Sequence, residues 1–427
     1  MAGDAPTTEA ATYPRGFSQD TDWKWPMVPA RKLVTLNYGR ALKANTRSPG
    51  KVPVFGTNGQ RGWHDTPLAK APGLILGRKG QGPLGVEWCD KDFWVIDTAY
   101  YASTLTPDID LKYLYHLVKY VGLNHLKDGT SNPTLSRDTF GAQLFPLPPL
   151  AEQKAIAAVL GALDDKIELN RRMNATLEAL ARALFQSWFV DFDLVRAKLD
   201  GRKPIGLDDA TAALFSANFQ DSPLGPIPHG WTSHRLPDAI EVNPRRTLKA
   251  GVTAPYLDMK NLPTQGHSAE EVIDREFSSG TKFQNGDTLL ARITPCLENG
   301  KTGYVDFLED GQVGWGSTEF IVLTPKPPLP PQFGYLLARS DALRTHAIQN
   351  MTGTSGRQRV PSESFNTFWL AVPPPKIARR FDELTAPLMA KIKANSTESR
   401  TLATLRDTLL PKLLSGGFQI PTEYQPS

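Results

Sequence analysis

The stretch from Pro148 to Phe192 most constrains what this chain can fold into, because its apolar residues recur at alternating spacings of four and three. That alternation gives a helix one narrow apolar stripe, which is typical of a helix that pairs with another helix. Pro148 and Pro149 can stand at the start of a helix but not inside it. The spacing predicts a helix from Leu150 to Phe185, about 54 Å long at 1.5 Å per residue. Its predicted seam consists of Ile156, Leu160, Leu163, Ile167, Asn170, Asn174, Leu177 and Leu184.

A second copy of this helix follows 225 residues later, without a gap over roughly forty residues. The offset places Pro148 on Pro373, Lys166 on Lys391 and Asn170 on Asn395. The seam of the second helix is predicted to contain Leu388, Ile392, Asn395, Leu402 and Leu409. We expect the two helices to pair antiparallel, since each exposes a seam that costs roughly 25 cal/mol per Å² in water. Buried asparagines would favour one register. In the alternative arrangement, each helix packs on its own globular domain.

The sequence before each long helix shows the same order of features. Short apolar runs broken by Gly, Pro and Asn predict strands and turns, and a short helix then precedes each proline pair. LILGRK of the first half is matched by LLARIT of the second, and DTAYY by STEFI. We therefore predict an α+β protein with a pseudo-two-fold internal repeat, in which two mixed α/β domains are separated by an antiparallel coiled coil of the two long helices.

Composition narrows the class of protein. The two cysteines, Cys89 and Cys296, are far apart, which fits a reducing compartment, and no apolar run is long enough to span a bilayer. These features predict a cytoplasmic protein. Residues 23–146 hold 16 Lys and Arg against 9 Asp and Glu, whereas residues 226–372 hold 14 against 15. A basic first domain is compatible with a polyanionic partner but does not require one.

The sequence offers no catalytic or metal site. Asn132-Pro133 and Asn243-Pro244 lack the second proline and the aromatic residue of an adenine methyltransferase motif. The chain has 7 histidines, and none of them forms an i,i+4 pair or has a neighbouring cysteine. We predict that the chain is not an enzyme and binds no cofactor or metal.

Four segments carry a resemblance to a known family: FPLPPLAEQKAIAAVLGALDDKIELN, FQSWFVDFD, FQDSPLGPIPHGW and LRDTLLPKLLSGGF. Together they resemble the specificity subunit of type I restriction–modification systems. The resemblance implies that two target-recognition domains each read one half of a split, asymmetric site in double-stranded DNA. It also implies that the coiled coil docks two modification subunits and the restriction/translocase subunits. Catalysis would then belong to those partners, together with S-adenosylmethionine, ATP and Mg.

The resemblance and the composition divide the chain as follows: 1–22 disordered leader, 23–146 first target-recognition domain, 147–200 long helix, 201–226 linker, 227–372 second target-recognition domain, 373–418 second long helix and 419–427 tail.

Reading bases requires Arg, Lys, Asn or Gln held on loops, and Gly-rich turns allow a close approach to DNA. In the first domain the candidates are Arg40, Lys43, Asn58, Gln60, Arg78, Lys79, Gln81, Asn132 and Arg137. In the second domain they are Arg245, Arg246, Lys249, Lys260, Asn261, Arg292, Thr294, Lys301, Arg357, Gln358 and Arg359. We expect Trp63, Trp88, Trp94 and Trp315 to lie in the domain cores. The alternative function is a non-enzymatic adaptor, with two protein-binding domains on a coiled-coil spacer.

Overall fold

The computed structural model describes residues 24–202, 208–418 and 420. The chain divides into two units, one of residues 1–167 with 401–427 and the other of residues 168–400. The predicted leader lies outside the described residues, as do Trp23, residues 203–207 of the predicted linker, and residues 419 and 421–427 of the predicted tail.

The globular part of the first unit is built from short strands and three helices. The strands are β1 Met27–Pro29, β2 Val34–Tyr38, β3 Val52–Phe55, β4 Gln60–His64, β5 Gly73–Gly77, β6 Val86–Cys89, β7 Trp94–Val95, β8 Ala99–Thr104, β9 Lys127–Asp128, β10 Thr134–Leu135 and β11 Leu144–Pro146. The helices are α1 Ala30–Leu33, α2 Leu111–Val121 and α3 Arg137–Gly141, with 3-10 turns at Ala44–Thr46 and Asn124–Leu126.

Strand β5 lies at the centre of the first unit, in an antiparallel sheet of order β2-β8-β5-β6. All five of its residues are buried, because both of its faces are covered. Leu74 and Leu76 share a core cluster with Tyr113 of α2. Ile75 points the other way, since side chains alternate along a strand, and packs with Phe55 of the second sheet. That second sheet has the order β4-β3-β7, with β3 and β7 parallel.

The long helix α4, Leu150–Phe185, follows and leads through a π-helical turn, Gln186–Val190, into α5 Asp193–Leu199 and α6 Asp209–Ala213. The strands that come next are β12 Phe219–Gln220, β13 Ile227–Pro228, β14 Thr232–Arg235, β15 Ile240–Val242, β16 Thr253–Leu257, β17 Ile273–Glu276, β18 Thr281–Phe283, β19 Thr288–Ala291, β20 Thr302–Tyr304, β21 Gly314–Gly316, β22 Phe320–Pro325 and β23 Trp369–Val372. The remaining helices are α7 Leu236–Ala239, α8 Pro331–Ala338, α9 Asp341–Gln349 and α10 Pro375–Ser415, with 3-10 turns at Met259–Asn261 and Ser362–Thr367.

The second unit repeats the sheet arrangement of the first. Its antiparallel sheet has the order β15-β22-β19-β20, and β19 is buried on both faces, as β5 is. Leu290 packs in the cluster of Phe333 on α8, whereas Leu289 packs with Phe283 of the other sheet. That other sheet, β17-β16-β21-β18, contains one parallel pair, β16 with β21, as β3 pairs with β7 in the first unit.

Main-chain hydrogen bonds at corresponding places in the two units support the internal duplication. The Ala30 amide donates to the Gln143 carbonyl at 2.8 Å, and the Leu236 amide donates to the Phe368 carbonyl at 2.8 Å. The two acceptors are separated by the offset of 225 that relates the long helices. The duplication therefore includes the start of each globular domain.

The long helix predicted from Leu150 to Phe185 is present with those bounds, and its repeat is α10. In the second unit these helices exchange side-chain hydrogen bonds. The Asn170 amide donates to Glu398 Oε2 at 2.8 Å, and the Asn395 amide donates to Asn174 Oδ1 at 2.9 Å. Numbers fall on α10 as they rise on α4, so the helices run antiparallel in this unit. Asn170 and Asn395 are both 1% exposed.

In the first unit α4 contacts α10 and also the globular domain. Asp164 of α4 accepts a hydrogen bond from Arg406 of α10 at 2.6 Å and one from Lys119 of α2 at 3.3 Å. Ile156 and Leu160 are fully buried in the cluster that contains Tyr113. Helix pairing and packing on a globular domain therefore coexist, because the apolar face of α4 widens where it meets the domain.

Burial lowers the pKa of His116, which lies beside Asp164, to about 4, so this imidazole is neutral at pH 7.

One expected core residue is not buried. Trp63 on β4 is 51% exposed, although Trp315 is buried as expected and Trp88 and Trp94 are half-buried. The expectation for Trp63 was wrong because β4 is largely exposed: Gln60, Arg61 and Trp63 are exposed and His64 alone of its five residues is buried. The strand therefore has no second covered face to bury an indole ring.

Candidate nucleic-acid interface

Thr57 joins the loop of Asn58 and Gln60 to the loop of Lys79 and Gln81. Its hydroxyl donates to the Lys79 carbonyl at 2.8 Å, and its carbonyl accepts from the Gly85 amide at 2.8 Å. A Cβ atom at Gly77 would lie 2.2 Å from the Thr57 carbonyl oxygen, so the approach of these loops requires glycine there. Asn58 and Gln60 are consequently exposed beside the Lys79 loop.

Two of the predicted arginines share one aromatic ring. The guanidinium carbon of Arg78 lies 4.8 Å from the centroid of the Tyr38 ring, and that of Arg137 lies 4.7 Å from it. Arg78 also donates from Nη1 to the Asp97 carbonyl at 2.9 Å. Tyr38 is 48% exposed, so stacking on its ring places both cations at the surface. Tyr38 was missed in the sequence analysis because the candidates were chosen mainly among Arg, Lys and amide side chains.

The loop of Gln81 binds the loop of Asn132. The Gln81 amide donates to the carbonyls of Thr130 at 3.0 Å and Ser131 at 2.8 Å, and the Gly80 amide donates to the Pro133 carbonyl at 3.0 Å. Lys79 pairs with Asp97 at 3.1 Å. The structure thus brings together what we call the first loop cluster: Tyr38, Asn58, Arg78, Lys79, Gln81, Asn132 and Arg137.

Arg40 and Lys43 are exposed on the segment that follows Tyr38. The main chain of Arg40 is fixed, since its amide donates to the Val95 carbonyl at 2.9 Å and its carbonyl accepts from the Trp94 indole at 3.0 Å. Lys43 precedes the 3-10 turn Ala44–Thr46, and its carbonyl accepts from Thr46. Both side chains are available to a ligand beside the first loop cluster.

In the second unit, five predicted residues meet around the isolated β-bridges that Arg359 forms with Ile293 and Thr352. The Thr294 amide donates to the Gln358 carbonyl at 3.0 Å, and the Val360 amide donates to the Arg292 carbonyl at 2.9 Å. Arg359 then forms a two-pronged ion pair with Glu319, a residue not predicted from the sequence. We call this the second loop cluster: Arg292, Thr294, Glu319, Arg357, Gln358 and Arg359.

The two clusters occupy equivalent places in the repeat. The Leu135 amide donates to the Arg78 carbonyl at 2.7 Å, as the Val360 amide donates to Arg292, and Leu135 and Val360 are again 225 residues apart. Arg78 is therefore the counterpart of Arg292. The sequence match of LILGRK with LLARIT set Gly77 opposite Arg292, one residue out of register. A run of apolar residues cannot fix a strand register to one residue, whereas hydrogen bonds do.

Outside the second loop cluster, three predicted contacts of the second unit already hold protein partners. Arg246 pairs with the buried Asp287 at 2.7 Å. Lys301 donates to the carbonyls of Met259 at 2.7 Å and Lys260 at 2.8 Å, and the Asn261 amide donates to Glu271 at 3.4 Å. These side chains fix loop geometry. The exposed predicted cations outside the second loop cluster are Arg245, Lys249 and Lys260.

Other classes of ligand find little support in the described part of the chain. There, no group of three or more His, Cys, Asp or Glu residues is arranged to hold a metal ion. Within residues 24–202 and 208–418, no helix is both long enough and apolar enough to cross a membrane.

Comparisons with known proteins agree with these features. A family model described as "Type I restriction modification DNA specificity domain" matches residues 23–179. The MjaIX type I specificity subunit of Methanocaldococcus jannaschii is 27% identical over 326 residues, 72% of this chain and 69% of that protein. The HindI specificity subunit of Haemophilus influenzae is 23% identical over 330 residues, 66% of this chain and 71% of that protein.

Among solved structures, the type I restriction–modification S subunit from M. genitalium matches with a TM-score of 0.56 at 17% identity. The match covers 94% of this chain and 99% of that structure. This likeness confirms the predicted mixed α+β fold.

Proposed function

The chain is similar to type I restriction–modification specificity subunits, which confirms the predicted resemblance, and on this premise we propose that it reads a bipartite, asymmetric site in double-stranded DNA. The relatives are named specificity subunits, so the prediction of a specificity subunit and not an enzyme is also confirmed. In the proposal, the first loop cluster reads one half of the site and the second loop cluster reads the other half.

The observation that carries this proposal is that one main-chain frame holds basic loops at the same place in both units. Leu135 and Val360 bind the carbonyls of Arg78 and Arg292 in equivalent hydrogen bonds. The side chains on this frame nevertheless differ, because the first cluster stacks arginines on Tyr38 and the second pairs Arg359 with Glu319. A shared frame with different donors suits two half-sites of different sequence.

We propose that modification subunits, two in number, dock on the long helices together with the restriction/translocase subunits. S-adenosylmethionine, ATP and Mg would bind to these partners, in the cytoplasm, where the DNA is. Support comes from three large apolar side chains on the long helices: Leu169, Leu180 and Leu405 are 52%, 51% and 45% exposed. Exposed apolar side chains on a helix favour association with a partner.

The paired helices are proposed to set the number of base pairs between the two half-sites. The hydrogen bonds of Asn170 and Asn395 support this role, because buried polar pairs hold antiparallel helices in one register. A fixed register gives a fixed length, which a defined gap in a DNA sequence requires.

The test is to map methylated adenines in host cells that produce the complete system and in cells that lack this chain. We expect one split motif whose methylation disappears with the chain. Methylation that is absent, or that shows no bipartite motif, would contradict the proposal. A salt titration of the purified complex separates it from a protein-binding adaptor, because DNA binding weakens steeply with salt.

A further inference from the structure

The ion pair between Glu319 and Arg359 does not use all the hydrogen-bond donors of the guanidinium. Arg359 Nε donates to Glu319 Oε1 at 2.9 Å, and Nη2 donates to the same oxygen at 2.7 Å. Nη1 donates to the Arg357 carbonyl at 3.2 Å. A guanidinium carries five N–H bonds, so one hydrogen on Nη1 and one on Nη2 have no acceptor among these partners. Nη1 and Nη2 are bonded to the same carbon, so these N–H groups can be presented together to one ligand, and we call the Nη1–Nη2 side of the guanidinium its outer edge.

The main chain of Arg359 is held on both sides. Its amide donates to the Thr352 carbonyl at 2.9 Å, and the residue bridges Ile293 as well as Thr352 in antiparallel pairs. Glu319 is fixed too, because its carbonyl accepts from the Arg292 amide at 2.9 Å. The hydrogen bonds that Arg359 donates to Glu319 raise the pKa of Arg359, so the side chain keeps its charge. Its direction is thus set before any ligand binds.

We infer that Glu319 is a positioning residue that aims the outer edge of Arg359 at a guanine of the half-site read by the second unit. Two parallel N–H donors match O6 and N7 of guanine in the major groove, the pattern that distinguishes G·C from the other base pairs. The inference rests on the proposed function, and it names the base and the two residues that read it.

The exposures of the pair favour this division of roles over direct reading by the carboxylate. The side chain of Arg359 is 43% exposed, whereas that of Glu319 is 24% exposed. Arg359 Nε donates to Glu319 Oε2 at 3.0 Å, and Nη2 donates to Oε1 at 2.7 Å. Both carboxylate oxygens are therefore occupied, which leaves the carboxylate poorly placed to accept from the amino group of a cytosine. The arginine is therefore the outer partner.

The net charge of the second domain also favours base reading over phosphate binding as the role of this ion pair. Residues 226–372 hold 14 basic against 15 acidic residues, so this region has little net positive charge for phosphate contacts. A neutral Glu–Arg pair adds nothing to nonspecific attraction. It adds discrimination instead, since a preorganised fork makes both hydrogen bonds only with the correct base.

The experiment maps methylated adenines in cells that produce the complete system with wild-type chain, E319Q or R359K. Glutamine keeps the size of Glu319 but loses one acceptor, and lysine keeps the charge of Arg359 without the fork. The matched control is E383Q, because Glu383 also accepts from an arginine, Arg380, at 2.9 Å in the same unit but on α10. The quantity measured is the base preference at each motif position.

We expect both variants to lose discrimination at one G·C position of one half-site, by roughly 5- to 150-fold, while the other half-site and E383Q keep the wild-type motif. A purely structural ion pair would instead lower methylation at all sites alike. If R359K abolished methylation, the base preference of E319Q would decide between a base-reading and a purely structural ion pair. An unchanged motif in E319Q, or a half-site of A·T pairs alone, would overturn the inference. A wild-type methylome without any bipartite motif would overturn the proposed function itself.

Discussion

Tyr38 shows how one uncharged residue can organise two charged ones. Its ring contacts the guanidinium groups of both Arg78 and Arg137, which lie almost 60 residues apart in the chain. Without the ring, each arginine would lose an attraction of about 0.5–1 kcal/mol and could adopt more rotamers. The residue is therefore expected to contribute to DNA affinity without touching DNA.

We predict that Y38L weakens binding of the complex to its methylation site by about 1–2 kcal/mol, because both arginines lose their stacking partner. The measurement is the dissociation constant at fixed salt. Y120L is the control, since Tyr120 lies on α2 and is 39% exposed against 48% for Tyr38. Equal affinities of Y38L and wild type would show that the stacking of Arg78 and Arg137 on Tyr38 has no part in binding.

The sequence could indicate which residue types read DNA but not which of them are free to do so. Arg78 and Arg359 were identified from their Gly-rich loops, and both lie in the loop clusters. Arg246 was identified from its residue type alone, and its guanidinium binds Asp287, 41 residues away. Glu319 was missed for the same reason, because a pairing over 40 residues is set by the sheet and leaves no local pattern.

At the scale of elements, the helix pair combines apolar contacts with buried amides. Asn395 donates to Asn174 Oδ1 at 2.9 Å, and Asn174 donates to the Ser396 hydroxyl at 3.1 Å. Replacement of both buried partners by leucine together is expected to keep or raise stability. Removal of one partner alone leaves a buried donor unsatisfied and lowers stability. The two kinds of substitution should therefore have different effects.

We predict that N174L lowers the free energy of unfolding by about 1–3 kcal/mol, because the Asn395 amide loses its acceptor. The double variant N174L/N395L should recover most of the loss. Urea unfolding of wild type, both single variants and the double variant gives the coupling energy. Additive effects of the two substitutions would mean that these side chains do not interact in solution.

The elements were predictable where a repeat or a period fixed them. The bounds of α4 followed from its heptad spacing and the proline pair, and α10 followed from the constant offset. The spacing did not predict that Ile156 and Leu160 would join a globular core. A seam residue and a core residue are both apolar at the same helical positions, so only tertiary packing distinguishes them.

At the scale of the whole molecule, the proposed role of the long helices is to define the gap between half-sites. One heptad inserted into α4 and one into α10 lengthens each helix by about 10.5 Å at 1.5 Å per residue. Seven residues keep the seam in phase, so the pairing of the inserted turns is preserved. The loop clusters contain no inserted residue and should keep their base preferences.

We predict that the double insertion lengthens the gap in the methylated motif by about three base pairs, at 3.4 Å per base pair, and leaves both half-sites unchanged. Mapping of methylated adenines in cells with the inserted chain measures both quantities. Insertion into α4 alone is the control, because unequal helices cannot keep the register of Asn174 with Asn395, and methylation should fall. A motif with altered half-sites, or with the original gap, would mean that the helices do not set the spacing.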